Sequence, residues 1–372
     1  MPGPACCLGD GATRRAFLGS LLGAVAAACV GPTAAGSARR ERDLMAQAAD
    51  LVASAPTIDL HAHPGAFTRQ STGQLPTAAL EDMQAGGVDA AFFSVVTDGP
   101  VIRREPGGIR NFREPREGEL YRSALGQAER VRRRAQEGRL KLLLEPGDVA
   151  VARGLRVPGA LLALEGGDAL EGMVARVREF HALGVRSIQL MHYRINELGD
   201  IQTAPPRHAG LTPRGHDVLA EMNRLGIVVD GAHASPATLH GILAASRTPI
   251  IISHTGPAAL RPYARHLSDD LIRVVAARAG VIGVWPLSRT GPGPLDQMLV
   301  DIDHVRRLVG IEHVGIGTDM EGLSQLTVMP TYRHFTPLPA ALLARGYGET
   351  ELGQLLGGNL MRVFEAATAA RA

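Results

Sequence analysis

The chain has 372 residues, 45% of them hydrophobic, which suits one elaborated globular domain. Its 39 basic and 37 acidic residues nearly cancel, so charge gives no reason to expect nucleic acid or an anionic membrane as a partner. The three cysteines lie between Cys6 and Cys29, which excludes disulfides and thiolate metal sites from the rest of the chain. Lys141 is the only lysine and begins the run KLLLE, at the wrong end of a strand for a Schiff-base lyase.

Residues 1–38 are predicted to be an export signal. The sequence TRRAFL precedes an apolar stretch rich in Ala and Gly, which is typical of twin-arginine signals. The stretch is too short, and its residues too small, for a good transmembrane span. We expect cleavage after Ala35 or Ala38, with lipidation of Cys29 as the alternative, and a periplasmic or extracellular protein.

Residues 39–372 are predicted to form one domain of alternating strands and helices. A short helix is expected in RERDLMAQAADLVASA, directly after the leader. Eight apolar runs then resemble β-strands, and amphipathic segments separate most of them. This alternation implies a parallel sheet with crossover helices, and eight repeats close naturally as a (β/α)8 barrel. The eight runs are 57–63, 88–96, 159–166, 185–192, 227–233, 249–254, 281–287 and 313–319.

The clearest predicted helix covers residues 213–225. Thr212 can cap it, Pro213 suits its first turn, and Gly226 can end it. A last helix is expected in GGNLMRVFEAATAARA, with Asn359 as its cap.

Two long segments interrupt the alternation. The arginine-rich insertion from Pro100 to about Gly138 favours a solvated helix face over an anion-binding patch, because Glu129 and Glu137 interleave with the arginines. Residues 194–211 follow a strand run and are expected to overhang the active site.

Five residues at the ends of these runs have the side chains of a divalent-metal site. His61 and His63 are two apart on a strand, so both point to one face and can bind one metal. His233 and His254 end adjacent runs and can hold a second metal. Glu165 follows five apolar residues, where a buried charge needs a partner, and is the candidate for a bridging ligand. Imidazoles and carboxylates without thiolates suit a hydrolytic metal centre.

Three further residues are candidates for catalysis or substrate binding. Asp319 ends the last run and is expected to take a proton from the attacking water and pass it on, with Glu321 as the alternative. His192 has no predicted histidine partner, so donation to the developing oxyanion is favoured over metal ligation. Arg265 can receive a substrate carboxylate, although loop arginines are commonly solvated. The remaining histidines are interpreted as surface or packing residues: His181, His208, His216, His240, His266, His304, His313 and His334.

The motifs around these residues resemble the membrane dipeptidase, or renal dipeptidase, family of zinc peptidases, which have a (β/α)8 barrel. They extend over about residues 57–364 and are highly specific in combination. The motifs are LALEGGDAL, IQLMHYRINELGD, GLTPRGHDVLAEMNRLGIVVDGAHAS, IIISHTGPAAL, HVGIGTDMEG and GGNLMRVF.

The resemblance implies two zinc ions per chain and a role for each matching residue. Glu165 would bridge the zinc ions, and His233 and His254 would bind the second. His192 would polarise the scissile carbonyl, and Asp319 would be the proton shuttle.

The resemblance also implies that Arg265 anchors the substrate carboxylate, that dipeptides are hydrolysed, often with a D-residue at the C-terminal position, and that the protein is a homodimer. Two residues depart from the family pattern. His63 stands where the family usually has an aspartate, and Glu321 replaces the second aspartate of the last motif. The first change removes a negative charge beside the metal, which makes the attacking water more acidic and can alter the metal preference.

We therefore predict an exported, dinuclear zinc hydrolase that cleaves small dipeptides. One alternative is another metal-dependent hydrolase on the same barrel, acting on a lactone, an N-acyl amino acid or a phosphoester. A second is a non-catalytic binding protein of the cell envelope. Asp319 and His192 argue against the second, because neither is needed merely to bind metal.

Overall fold

The computed structural model of the protein describes residues 34–66, 77–288, 294–323 and 326–372. Residues Glu41–Ala372 form one compact unit. The predicted twin-arginine motif and Cys29 lie outside the described residues. Within the described ranges, no helix has both the length and the apolar character that a bilayer crossing requires.

Eight parallel strands form the predicted barrel. Numbered in chain order, the strands of the described ranges, including a hairpin of β3 and β4 and the short β5, are β1 Ile58–Ala62, β2 Ala90–Val96, β3 Ile102–Glu105, β4 Gly108–Asn111, β5 Lys141–Leu142, β6 Gly159–Glu165, β7 Val185–Gln189, β8 Val228–Asp230, β9 Ile251–Thr255, β10 Val281–Val284 and β11 Val314–Ile316. The eight barrel strands are hydrogen-bonded in the order β1-β2-β6-β7-β8-β9-β10-β11. Backbone bonds from Asp319 N to His61 O (2.8 Å) and from His63 N to Met320 O (2.9 Å) join the last segment to the first, so the barrel is nearly closed.

Helices follow most of the strands. α6 has the predicted ends: the Thr212 side chain accepts a hydrogen bond from Gly215 N, and Gly226 adopts a φ of 70°. The helices are α1 Ala34–Ser54, α2 Thr77–Ala85, α3 Glu119–Gln136, α4 Asp148–Leu155, α5 Val174–Ala182, α6 Pro213–Leu225, α7 Pro236–Ala245, α8 Asp269–Ala277, α9 Asp296–Val309, α10 Pro337–Ala344, α11 Glu349–Gly353 and α12 Asn359–Ala369.

The barrel interior is filled at its N-terminal end. First residues of several strands, among them Ile58, Val228 and Val281, pack in one apolar cluster with Val363 and Phe364 of α12. α12 therefore covers the end of the barrel away from the carboxyl ends of the strands. Lys141 pairs in register with Gly159, the first residue of β6, which confirms that the lysine lies at the wrong end for the site.

The prediction that Asn359 caps the last helix is wrong. A π-helical turn, Gln354–Gly358, runs from α11 directly into α12, so no free helix end needs a cap there. The Asn359 side chain instead donates to Ile311 O (2.7 Å) and Val314 O (2.8 Å). It thereby connects the last helix to β11.

The Asn359→Ala variant is expected to lose about 2 kcal/mol of unfolding free energy, because two carbonyls lose their donor. Denaturant unfolding at equal metal content measures the change. Glu365→Ala, on the exposed side of the same helix, is the control and should stay within about 0.5 kcal/mol of the parent. Equal stability of both variants would mean that these two bonds contribute nothing.

Candidate metal centre

The predicted site residues gather where the parallel strands end. His61 and His254 lie within β1 and β9, and Glu165 is the last residue of β6. The other predicted residues lie in the loops just after strands, so the predicted runs extend beyond the strands themselves. These residues are His63, His192, His233 and Asp319.

Two of these residues have an unusual backbone conformation. His233 has a φ of 65° and Asp319 a φ of 48°, both in the left-handed region. Few residues other than glycine adopt this conformation, and such residues cluster at functional sites where the surrounding structure enforces it. Glu321, two residues after Asp319, has a φ of 66°. All three residues lie in the loops that follow the strands.

The Glu165 carboxylate contacts both predicted imidazole pairs. Its Oε2 lies 3.5 Å from His63 Nε2. The Nε2 atoms of His233 and His254 are 3.0 Å apart. The distances from Glu165 Oε1 to the remaining Nε2 atoms are 3.1 Å for His61, 3.3 Å for His192, 3.7 Å for His233 and 3.9 Å for His254.

Hydrogen bonds at Nδ1 orient three of these rings. His63 Nδ1 donates to Ser94 O at 2.8 Å, which leaves the Nε2 lone pair toward Glu165. His61 Nδ1 lies 3.2 Å from Ser94 Oγ, and His254 Nδ1 lies 3.0 Å from Ser253 Oγ. His61 Nε2 is buried without a hydrogen-bond partner among the described residues. Imidazole rings that are held at Nδ1 and gather their Nε2 atoms around a carboxylate fit a divalent metal.

The charge states of three predicted ligands, His233, His254 and Glu165, suit metal binding. Burial lowers the pKa of His233 and His254 well below the ordinary value, and the Arg265 guanidinium adds to the effect, so both imidazoles are neutral. Burial alone would raise the pKa of Glu165. The surrounding histidines, first among them His192, outweigh burial and hold this pKa well below the usual range. Neutral imidazoles and an ionised carboxylate are the forms that bind metal.

His192 lies beside another histidine, contrary to the sequence-based expectation. Its ring centroid is 4.6 Å from that of His233, because β7 and β8 are neighbours and the loops after them converge. Its Nδ1 lies 2.6 Å from Asp98 Oδ1. Burial lowers the pKa of His192, but the Asp98 and Glu165 carboxylates outweigh it and raise the pKa to about 9.

Sequence reasoning missed Asp98. This fully buried carboxylate follows β2 by two residues and also accepts a hydrogen bond from Tyr193 N at 3.0 Å. No site residue was predicted after the runs 88–96 and 281–287. The signal that could have found further site residues was their position at the end of a strand. Asp98 follows the first of these runs, and Trp285 lies in the second.

Asp319 borders the first imidazole pair. Its Oδ1 lies 3.3 Å from His63 Nε2 and 4.0 Å from His61 Nε2. Burial lowers the pKa of His63, but the Asp319 and Glu165 carboxylates raise it overall. The Glu321 carboxylate accepts a hydrogen bond from Gly65 N at 2.8 Å, which favours Asp319 over Glu321 as the proton-transfer group.

Arg265 is buried rather than solvated, with 1% of its surface exposed. Its guanidinium lies 3.0 Å from His254 Nε2, donates to the Gln202 side chain and sits 5.6 Å from the centroid of the Trp285 ring. Gln202 belongs to the loop 194–211, so this loop reaches the site as predicted. Arg265 Nε has no hydrogen-bond partner among the described residues.

A cavity of about 370 Å³ is lined by most of the predicted site residues, namely His63, Glu165, His192, His233, His254 and Asp319. The arginine-rich insertion contributes to it in a way the sequence did not suggest. α3 is a helix with a solvated arginine face, as predicted, but the β3–β4 hairpin precedes it and lines the cavity. The apolar and aromatic lining consists of Val96, Ile102, Ile109, Tyr193, Tyr263, Trp285, Leu287, Leu323 and Leu326. A larger cleft, of about 630 Å³ beside Gln47 and Glu349, has no imidazole among the described residues that line it.

The fold and the imidazole–carboxylate centre are those of a metal-dependent hydrolase barrel. The profile of a family described as membrane dipeptidase (peptidase family M19) matches residues 45–372. The chain belongs to this family, and the resemblance inferred from its motifs is confirmed.

Solved structures share the fold. An amidohydrolase from Pseudomonas aeruginosa has a TM-score of 0.72 at 22% identity, over 87% of this chain and 99% of that one. A metallopeptidase from Rhodobacter sphaeroides, bound to a phosphinate mimic of the dipeptide L-Ala-D-Ala, has a TM-score of 0.70 at 22% identity, over 84% of this chain and 99% of that one.

Curated relatives match part of the chain. Dipeptidase aclJ of Aspergillus oryzae is 34% identical over 213 residues, which are 55% of this chain and 50% of the relative. Dipeptidase 3 of Rattus norvegicus is 32% identical over 216 residues, 55% of this chain and 44% of the relative. The chain thus spans about half the length of the curated relatives it matches.

Proposed function

We propose that the protein is a dinuclear zinc dipeptidase that hydrolyses the amide bond of small dipeptides, including those with a D-residue at the C-terminal position. The observation that carries this proposal is the Glu165 carboxylate, which lies within 3.9 Å of two imidazole pairs beneath a cavity of about 370 Å³. A cavity of this size suits a small ligand. The relatives named dipeptidases, and the structural neighbour bound to a dipeptide mimic, support the substrate class.

In this proposal His61 and His63 would hold one zinc ion, His233 and His254 the second, and Glu165 would contact both. Bound zinc would polarise the scissile carbonyl and make the attacking water more acidic. The protein would hold these ligands in place. Contacts with Ser94 and Ser253 orient imidazole rings, and the buried strand ends keep the ligands close together.

The remaining residues would bind substrate and move protons. Asp319 would accept the proton of the attacking water and deliver it to the leaving amine. His192 would donate from Nε2 to the developing oxyanion, while Asp98 holds its Nδ1 and stabilises the imidazolium. The ligand atoms of His192, Glu165 and His233 also lie within 4.8 Å of one another, so metal ligation is the alternative role of His192. Arg265 would bind the C-terminal carboxylate and so position the amide bond.

We also propose export by the twin-arginine route to the periplasm or the cell exterior, with cleavage near residue 38 or lipidation of Cys29, and a homodimer in solution. The TRRAFL motif supports export, and the family resemblance supports the dimer. The N-terminal residue of the mature protein and its mass in solution test these two points.

The function is tested by incubating zinc-loaded protein with L,L and L,D dipeptides beside lactone and phosphoester controls. The proposal requires release of free amino acids from dipeptides. Turnover of a control ester without any dipeptide turnover would assign the barrel to another hydrolase. Binding without turnover of any substrate would support the envelope binding protein.

We expect elemental analysis of metal-replete protein to give about two divalent ions per chain, since two groups of buried ligand-type side chains share Glu165, one with His61 and His63 and one with His192 and His233. Glu165→Gln should lower the metal content, because an amide is a weaker ligand than a carboxylate. Asp168→Asn, a buried acid paired with Arg194 rather than facing the imidazoles, is the control for unfolding. One metal per chain, unchanged by Glu165→Gln, would exclude the dinuclear centre.

A further inference from the structure

The β3–β4 hairpin brings a cation to the cavity. In its antiparallel register Arg104 pairs with Ile109, and Arg103 pairs with Arg110. Cross-strand partners share a face, and successive residues alternate between faces. Ile102, Arg104 and Ile109 line the cavity, so Arg103 and Arg110 project from the opposite face of the hairpin.

The Arg104 guanidinium is available to a ligand. The side chain is exposed, and within the described ranges it forms no hydrogen bond or ion pair. Arg103, by contrast, donates to Glu105 at 2.8 Å. A guanidinium that lines a cavity and is not engaged by a protein carboxylate can bind a ligand carboxylate through two parallel N–H groups.

Strand order determines which end of a substrate faces Arg104. The hairpin follows β2, whereas Arg265 follows β9. These strands are four places apart in a ring of eight, so the two arginines extend from opposite sides of the barrel mouth. With the C-terminal carboxylate on Arg265, the N-terminal residue of a dipeptide extends toward the hairpin.

We propose that Arg104 selects dipeptides whose N-terminal residue is acidic. The inference rests on the proposed dipeptidase function and on Arg265 as the carboxylate anchor. The methylene groups of a glutamyl side chain pack against Ile102 and Ile109, and its carboxylate pairs with the Arg104 guanidinium. Val96, on the adjoining strand β2, extends the same apolar wall.

The test compares kcat/KM for glutamyl-alanine and glutaminyl-alanine, which differ in charge but hardly in shape. The parent enzyme should favour the acidic substrate about tenfold, as one partly exposed charge pair allows. Arg104→Met should abolish this preference. Arg110→Met is the matched control: it removes an exposed charge from the same hairpin on the opposite face and should leave the preference intact.

A second pair of substrates, alanyl-glutamate and alanyl-glutamine, tests which residue of the dipeptide Arg104 recognises. No preference that depends on Arg104 is expected there, and such a preference would overturn the assignment to the N-terminal residue. Two results would overturn the role of Arg104 but leave the dipeptidase proposal unaffected. One is an equal loss of kcat/KM for the charged and the neutral substrate in Arg104→Met, and the other is a parent enzyme that does not distinguish the two substrates. Absence of turnover for all four dipeptides would overturn both proposals.

Discussion

The Asp319→Asn enzyme is expected to keep its fold and metals but to lose roughly 10²-fold or more in kcat, as removal of general acid–base catalysis does. Asp319 Oδ1 lies 3.3 Å from His63 Nε2, at the edge of the first imidazole pair. The amide of asparagine has nearly the same shape as the carboxylate but cannot accept the proton of the attacking water. Steady-state kinetics and elemental analysis of the same preparation measure both quantities.

Glu321→Gln is the matched control, because it neutralises a carboxylate two residues away that lines the same cavity. Glu321 is engaged by Gly65 N, so its neutralisation should lower kcat far less. If Asp319→Asn loses metal in proportion to its loss of activity, Asp319 is a metal ligand. No residue would then be assigned to proton transfer.

The sequence predicted the barrel because its signals are local. Most barrel strands are short runs rich in apolar residues, and α6 carries its own cap, first-turn proline and terminal glycine, so these elements follow from neighbouring residues. The metal-type residues were also predictable, because an imidazole or carboxylate buried at a strand end needs a partner, and a divalent metal supplies one. The turns after the strands were less predictable: a left-handed conformation is uncommon for any residue other than glycine, so the residue types alone did not indicate it at His233 and Asp319.

The features of the site that the sequence did not predict depend mainly on contacts between residues far apart in the chain. The strands of the β3–β4 hairpin, IRRE and GIRN, are only four residues long. Their arginines leave no clear alternation of apolar and polar residues. Asp98 gains its role only when the barrel brings it within 2.6 Å of His192, 94 positions later in the chain. The proximity of His192 to His233 likewise depends on which strands are neighbours in the sheet.

Arg265→Ala is expected to cost on the order of 2–4 kcal/mol in kcat/KM for free dipeptides but little for dipeptide amides. Within the described residues this buried guanidinium forms no ion pair, and its Nε lacks a partner. A buried charge without a counter-ion is costly, and a substrate carboxylate would supply both the opposite charge and acceptors for the N–H groups. The measurement is kcat/KM for an acid and its C-terminal amide with each enzyme.

Arg261→Ala is the matched control, because Arg261 lies on the same loop but already pairs with the buried Asp301 carboxylate. This variant should keep the parent's preference for the acid over the amide. With Arg265 intact, amidation should abolish most turnover, since the amide carries no charge for the guanidinium to bind. Comparable cleavage of acid and amide by the parent enzyme would show that Arg265 does not anchor the carboxylate. The role of the buried guanidinium would then be to support the His233–His254 imidazole pair.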